Sequence, residues 1–266
     1  MQFALIDNQR IEAAPGLKGR CPGCSQLVDA KCGTIKIWHW AHRTKITCDT
    51  WWERETQWHR DWKNKFDREW HERILFDEKT GEKHIADVRT EHGLVIEFQH
   101  SPLDPQERNA RENFYGNMVW IVDASHRKND YKRFLKGFPQ FRETPQKGLF
   151  LVARPDETFP ANWVQSTKPV FFDFLGIAPS DPPEIMRELL WCLLPGRVEG
   201  YGVVISMFRK DIVSEATNKS DLLEVLLKGY EIAVAFLQPV RPQGPTTQRP
   251  MIMRPGYGPR RRNWRL

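Results

Sequence analysis

The 266-residue sequence predicts an α/β protein, a mixed sheet flanked by helices and preceded by a small metal-stapled module. Three observations predict it. Residues 84–101 read as a β-hairpin. A Pro-capped helix at 104–117 is followed at once by the apolar run Met118–Val122, and a helix joining two strands of one sheet implies a parallel pair. Near the start, Cys21-Pro-Gly-Cys24 and His39-Trp-Ala-His42 have metal-ligand spacing.

The chain opens on a short strand, Phe3–Ile6. The spacing that follows is C-x2-C-x14-H-x2-H. Pro-Gly between the cysteines bends two thiolates onto one ion, and zinc takes four N/S ligands tetrahedrally. The expected ligands are Cys21, Cys24, His39 and His42, with Cys32 and Cys48 as alternatives to either histidine. Four ligands close the coordination shell, so this zinc is structural. A segment so poor in aliphatic residues needs a metal or a docking surface to fold.

Residues 51–73 contain neither Gly nor Pro and read as one long helix, capped by Asp49 or Thr50. Trp51, Trp58, Trp62, Phe66 and Trp70 make an apolar stripe at helical spacing. Glu55, His59 and Lys63 form a second row on one face. Lys63 reads as a solvated salt-bridge residue. Glu55 and His59 read as functional, because they sit early in a helix that must pack on the hairpin.

In the hairpin, Glu91-His92-Gly93 is the loop. If Thr90 faces Leu94, antiparallel register sets Asp87 opposite Glu97, with Cβ atoms roughly 4.5–5.5 Å apart. Gln99 shares the face of Glu97. Two carboxylates among apolar neighbours repel each other, and a divalent cation between them, Mg²⁺ or Mn²⁺, removes that cost.

After the helix at 104–117, capped by Asp104 with Pro105 at its first position, comes a basic stretch at 126–136. Gly148–Val152 and Lys168–Phe174 read as strands and Pro182–Leu194 as a helix. Residues 201–209 fit strand or helix, and Ser220–Leu237 is a further helix. The implied division is a zinc module at 1–50, a core at 51–176, a mainly helical region at 177–240 where a protein partner would dock, and a disordered basic tail at 241–266.

Net charge is +6 with a pI of about 9.1, so an anionic partner fits. Five cysteines, unevenly placed, do not make a secreted disulfide framework. Neither a signal peptide nor an apolar run of membrane-spanning length is present, and the reading is a cytoplasmic protein with no membrane partner.

The order helix, Asp on one strand, Glu-x-Gln on the next, then helix and strand resembles the PD-(D/E)xK nuclease core. The wording is closer still to the competence protein CoiA-like family. The residues that carry this resemblance are Cys21-x2-Cys24, His39-Trp40-Ala41-His42, Glu55-x3-His59-x3-Lys63, His84-Ile85-Ala86-Asp87-Val88, Ile96-Glu97-Phe98-Gln99-His100-Ser101 and Trp120-Ile121-Val122-Asp123. It spans roughly the first half of the chain. It implies a metal-dependent deoxyribonuclease in competence, recombination or defence, with Asp87 and Glu97 as Mg²⁺ ligands and Glu55 and His59 completing the site. Gln99 stands where much of the wider superfamily keeps Lys, and an amide can hydrogen-bond but carries no charge. The alternative is a catalytically weak or inactive DNA-binding or scaffold protein of the same fold.

Overall fold

The computed structural model describes residues 1–44, 48–51, 53–78, 80–174, 188–218 and 222–238. Five short strands, β1 (Phe3–Ile6), β2 (Gln9–Glu12), β3 (Lys18–Arg20), β4 (Leu27–Lys31) and β5 (His39–His42), form an antiparallel sheet in the order β2-β1-β3-β4-β5. Its core is small: Ala4, Ala13, Cys21, Val28 and Trp40. The Trp40 indole N–H is satisfied by the Ile11 carbonyl at 2.9 Å.

The second sheet has nine strands. In chain order they are β6 (His71–Phe76), β7 (Lys83–Arg89), β8 (Val95–Gln99), β9 (Met118–Asp123), β10 (Arg142–Glu143), β11 (Leu149–Val152), β12 (Val170–Asp173), β13 (Leu189–Leu193) and β14 (Gly202–Phe208). Across the sheet the order is β10-β11-β14-β13-β12-β9-β8-β7-β6. The β8/β9 and β9/β12 pairs are parallel and the rest antiparallel, so the sheet is mixed. Helix α2 (Pro105–Tyr115) makes the expected crossover between β8 and β9, with Asp104 accepting from the Gln106 and Glu107 N–H groups.

Alternation along β9 feeds two cores. Val119 and Ile121 join one, with Trp62, Phe98 and Phe171 under α1 (Gln57–Lys63) and the C-terminal helices. Met118 and Trp120 join the other, with Phe134, Phe172 and Trp191 under α3 (Lys128–Gly137), α4 (Pro155–Thr158) and α5 (Ala161–Val164). Helices α6 (Arg209–Thr217) and α7 (Leu222–Leu237) follow β14. Gly229 lets α7 approach the sheet, since a Cβ there would lie 2.6 Å from Ile205 Cδ1. No described helix is long and apolar enough to cross a membrane.

Two expected helices are corrected. The long helix at 51–73 is instead seven-residue α1, followed by a single 3₁₀ turn and β6. Thr56, not Asp49 or Thr50, caps it, in a capping box with His59 at the third position. Beyond Lys63 the chain turns, and pairing with β7 overrides the helical pattern of residues 71–73, while the strand expected at Leu75–Phe76 is present as the end of β6. The expected helix Pro182–Leu194 ends as strand β13, with residues 182–187 outside the described residues. A strand buried on both faces reads as a continuous apolar run, which periodicity cannot tell from a helix.

The region 177–240, expected to be mainly helical, supplies β13 and β14 as well as α6 and α7. Those strands sit between β12 and β11, so the sheet continues across position 176. The tail at 241–266 lies outside the described residues.

Candidate functional site

The N-terminal ligands gather around one point. Cys21, Cys24, His42 and Cys48 place their ligand atoms within 4.8 Å of one another. The Cys21 and Cys48 sulfurs are 3.6 Å apart, and Cys24 Sγ lies 3.2 Å from His42 Nε2. Tetrahedral Zn–S bonds of about 2.3 Å put ligand sulfurs about 3.8 Å apart, so this Cys3His set could hold a structural zinc. Burial, and then the neighbouring Cys21, push the Cys48 thiol far above its ordinary range; a dication is what makes such thiolates tolerable.

The expected ligand His39 is not in this cluster: its Nδ1 bonds to the Ile37 carbonyl at 2.9 Å. An x2 spacing serves one face of a helix, but residues 39–42 are strand β5, where positions three apart face opposite ways. Cys32 also lies outside the cluster and Cys48 completes it.

The segment after Cys48 carries polar groups onto the nine-stranded sheet. The Asp49 carboxylate accepts from the Ile85 N–H at 2.8 Å and meets His84 Nδ1 at 2.8 Å, while Trp51 stacks on the His84 ring. Glu53 accepts from the Ser101 N–H at 2.8 Å, the Ser101 hydroxyl at 2.5 Å and Gln99 Nε2 at 2.6 Å. Glu55 accepts from Arg60 Nε at 3.0 Å and lies 2.6 Å from Lys63 Nζ. Asp49, Trp51, Glu53 and Glu55, every second residue, thus line one cleft with Asp87 and Glu97.

The hairpin sets the floor of that cleft. The Thr90 N–H donates to Leu94 O at 2.9 Å and Val88 pairs with Ile96, the register expected from the sequence. One step further, side chains replace the backbone ladder. The Asp87 N–H donates to Glu97 Oε1 at 3.1 Å, and the Phe98 N–H to Asp87 Oδ2 at 3.0 Å. The two carboxylates are thereby fixed to each other's strands.

Burial and the Asp87 charge push Glu97 up to about 8, against the pull of Arg111, whose NH1 is 3.2 Å from Glu97 Oε2. Burial raises Asp87 as well, although Lys63 and His59 oppose it. The cavity is about 80 Å³, room for an ion with waters and far below the 300–1,000 Å³ of an organic-ligand pocket.

Lys63 is where the sequence misled most. Instead of a solvated residue it is buried, 2.6 Å from Glu55 and 3.4 Å from Glu72. Burial alone would discharge it, but Glu72, Glu55 and Asp87 outweigh that and hold the ammonium well above its ordinary range. Burial would raise Glu55, yet Lys63 and Arg60 keep it below the usual carboxylate range. Glu72 has a positive φ of 47° and accepts from the Gln2 and Phe3 N–H groups, joining β1 to the cleft.

His59 is buried with Nδ1 accepting from the Thr56 N–H at 3.2 Å, so in the neutral ring the proton is on Nε2, 4.0 Å from Glu53. Glu55 is committed to two cations, Arg60 and Lys63, and is not a free base. Gln99 has a role the sequence did not indicate. Its amide N–H₂ is spent on Glu53 and the Ser101 carbonyl, and its buried Oε1 has no hydrogen-bond partner among the described residues. Glu53, Glu72 and Arg111 also line the cleft without having been anticipated; for Lys63 alone the signal was visible, in the Glu55/His59/Lys63 row.

A small β-module with a Cys3His cluster, joined through its last ligand to a mixed α/β sheet that carries a buried acidic cleft, defines the class of protein. Residues 7–50 match the family model described as competence protein CoiA, N-terminal domain, which supports the CoiA-like resemblance read from the sequence. No curated protein and no solved structure matches the chain.

Proposed function

We propose that the protein is a metal-dependent deoxyribonuclease of the PD-(D/E)xK type, acting in DNA processing. The observation that carries this reading is the Asp87/Glu97 pair: two carboxylates on adjacent strands, each accepting the other strand's N–H, with both acidities weakened by burial. The donor set fits Mg²⁺ or Mn²⁺, which take carboxylate and amide oxygens, and the unpartnered Gln99 Oε1 is one more such acceptor. Asp87 and Glu97 would hold the ion, which when bound makes a nucleophile of water at neutral pH and offsets charge on phosphoryl oxygens.

The chain's own residues do the rest. Lys63 supplies the positive charge that Gln99 lacks, from α1 rather than from β8, and favours ionised Asp87. Arg111 plays the same part for Glu97. Glu53, anchored by Ser101, sets the Gln99 amide so that its oxygen stays available. His59 Nε2 lies 4.0 Å from Glu53 on the other side.

One observation favours the second reading, a DNA-binding or scaffold protein without turnover: Glu97 already pairs with Arg111, and an amide stands in place of a lysine. Hydrolysis of end-labelled DNA in Mg²⁺ separates the two. The nuclease reading predicts cleavage that Asp87→Ala abolishes; retained DNA binding with no hydrolysis by the wild type would leave the scaffold reading.

A further inference from the structure

The β4–β5 hairpin of the N-terminal module ends in a seven-residue loop, 32–38, that the zinc site and the acidic cleft leave unexplained. Ile35 at its tip is 93 % exposed and Trp38 at its base is 48 % exposed. Among the described residues Trp38 has no aromatic partner, and Lys36 and Arg54 form no ion pair, although both are exposed. An exposed indole and two unpaired cations, on this loop and its neighbour, offer a stacking face and positive charge to a ligand.

The loop is fixed relative to the cleft. Arg60 of α1 donates to the Trp38 carbonyl at 3.4 Å and, through Nε, to Glu55 at 3.0 Å. Met1, Lys36, Ile37, His39, Arg54 and Glu55 line a second small depression, and Met1 and Glu55 belong to the acidic cleft as well. The loop therefore stands at the mouth of the cleft. His39, released from the metal by Cys48, lies at this junction.

We propose that this loop is a docking site for a single-stranded segment of nucleic acid, with an unpaired base stacked on Trp38 and its phosphates on Lys36 and Arg54. The proposal deepens the nuclease reading and rests on it for the choice of ligand. Charge complementarity favours it: a cleft rich in carboxylates repels a phosphodiester strand, and cations at its mouth counter that repulsion. Aromatic stacking needs a free base face, which a duplex does not offer and a single strand does. A flat indole and point charges on one loop and its neighbour are the combination that single-strand binding uses.

The test is binding, not cleavage. Full-length zinc-loaded protein is titrated into labelled oligothymidylate, and into a duplex of the same length, by fluorescence anisotropy with no Mg²⁺ or Mn²⁺ added. Wild type should prefer the single strand. Trp38→Ala should weaken that binding about fivefold to a hundredfold while the duplex changes little, and Trp38→Phe should restore most of it. Lys36→Ala should lower the slope of log K against log salt by about 0.7.

Single-strand affinity unchanged in Trp38→Ala, with zinc content intact, would overturn the proposal, as would equal losses on strand and duplex. Loss of binding to anionic lipid vesicles with DNA binding unaltered would assign the loop to a membrane instead and overturn it too. Because nothing is cut in this assay, a protein that never hydrolyses DNA can still pass it, and a nuclease can still fail it.

Discussion

Replacing Glu97 by Gln removes one titrating group from the buried pair and keeps its shape. The Glu97 carboxyl is moved from 4.5 to about 8, first by burial and then by Asp87. Between those values the folded protein holds a proton that the unfolded chain has released. Stability is therefore fully present below pH 4.5 and is lost as pH rises towards 8. Each unit is worth about 1.4 kcal/mol, so wild type should lose roughly 2–3 kcal/mol between pH 6 and pH 8. The raised Asp87 adds in the same direction. Glu97→Gln should flatten this slope, since an amide does not titrate there.

On the proposed function Mn²⁺ would bind the ionised pair, so at pH 8 it should restore wild-type stability and leave the variant unmoved. Urea denaturation followed by circular dichroism, at several pH values and with or without Mn²⁺, measures all of this. Identical pH slopes in the two proteins, or equal stabilisation by Mn²⁺, would refute the reasoning.

Other consequences follow from the same contacts. Cys48→Ser should lower bound zinc measured by atomic emission, whereas His39→Ala should retain a full equivalent, because only Cys48 belongs to the ligand cluster. Lys63→Ala leaves the largely buried Glu72 without a cation and Glu55 with Arg60 alone, and should cost a few kcal/mol, about 2–4, in chemical denaturation. Asp173→Ala removes the carboxylate that the Trp58 and Trp62 indoles and Arg209 share, and should cost several kcal/mol and expose those indoles, seen as a red shift in fluorescence.

The hairpin was legible because its determinants are local. Alternation, a Gly-containing loop and one assumed pairing, Thr90 with Leu94, place Asp87 opposite Glu97. Asp104-Pro105 likewise announced α2, because caps are written in neighbouring residues. What the sequence hid was decided at a distance. The aromatic-rich stretch 51–73 has helical periodicity throughout, yet β7 claims its last residues for pairing and Asp49 claims its start by holding Ile85 and His84.

Lys63 looked like the end of a solvated row, and only Glu72, nine residues on and in a positive-φ position, reveals why it is buried. The histidine spacing misled for a simpler reason: His39 and His42 suit one face of a helix, and the segment is a strand. Glu53 carries no local mark, because its partner Ser101 comes from another element, and Arg111 reads as an ordinary helix pair with Glu107, its reach to Glu97 on β8 being invisible locally.

The most direct test of the account is nicking of circular single- and double-stranded DNA in Mg²⁺ or Mn²⁺, wild type beside Asp87→Ala plus Glu97→Ala, with zinc content checked in both. The account predicts metal-dependent nicking by wild type and none by the double variant, whose N-terminal zinc should be unaffected. Nicking that survives the double substitution would contradict the assignment of the site. Binding without nicking by either protein would contradict the activity itself.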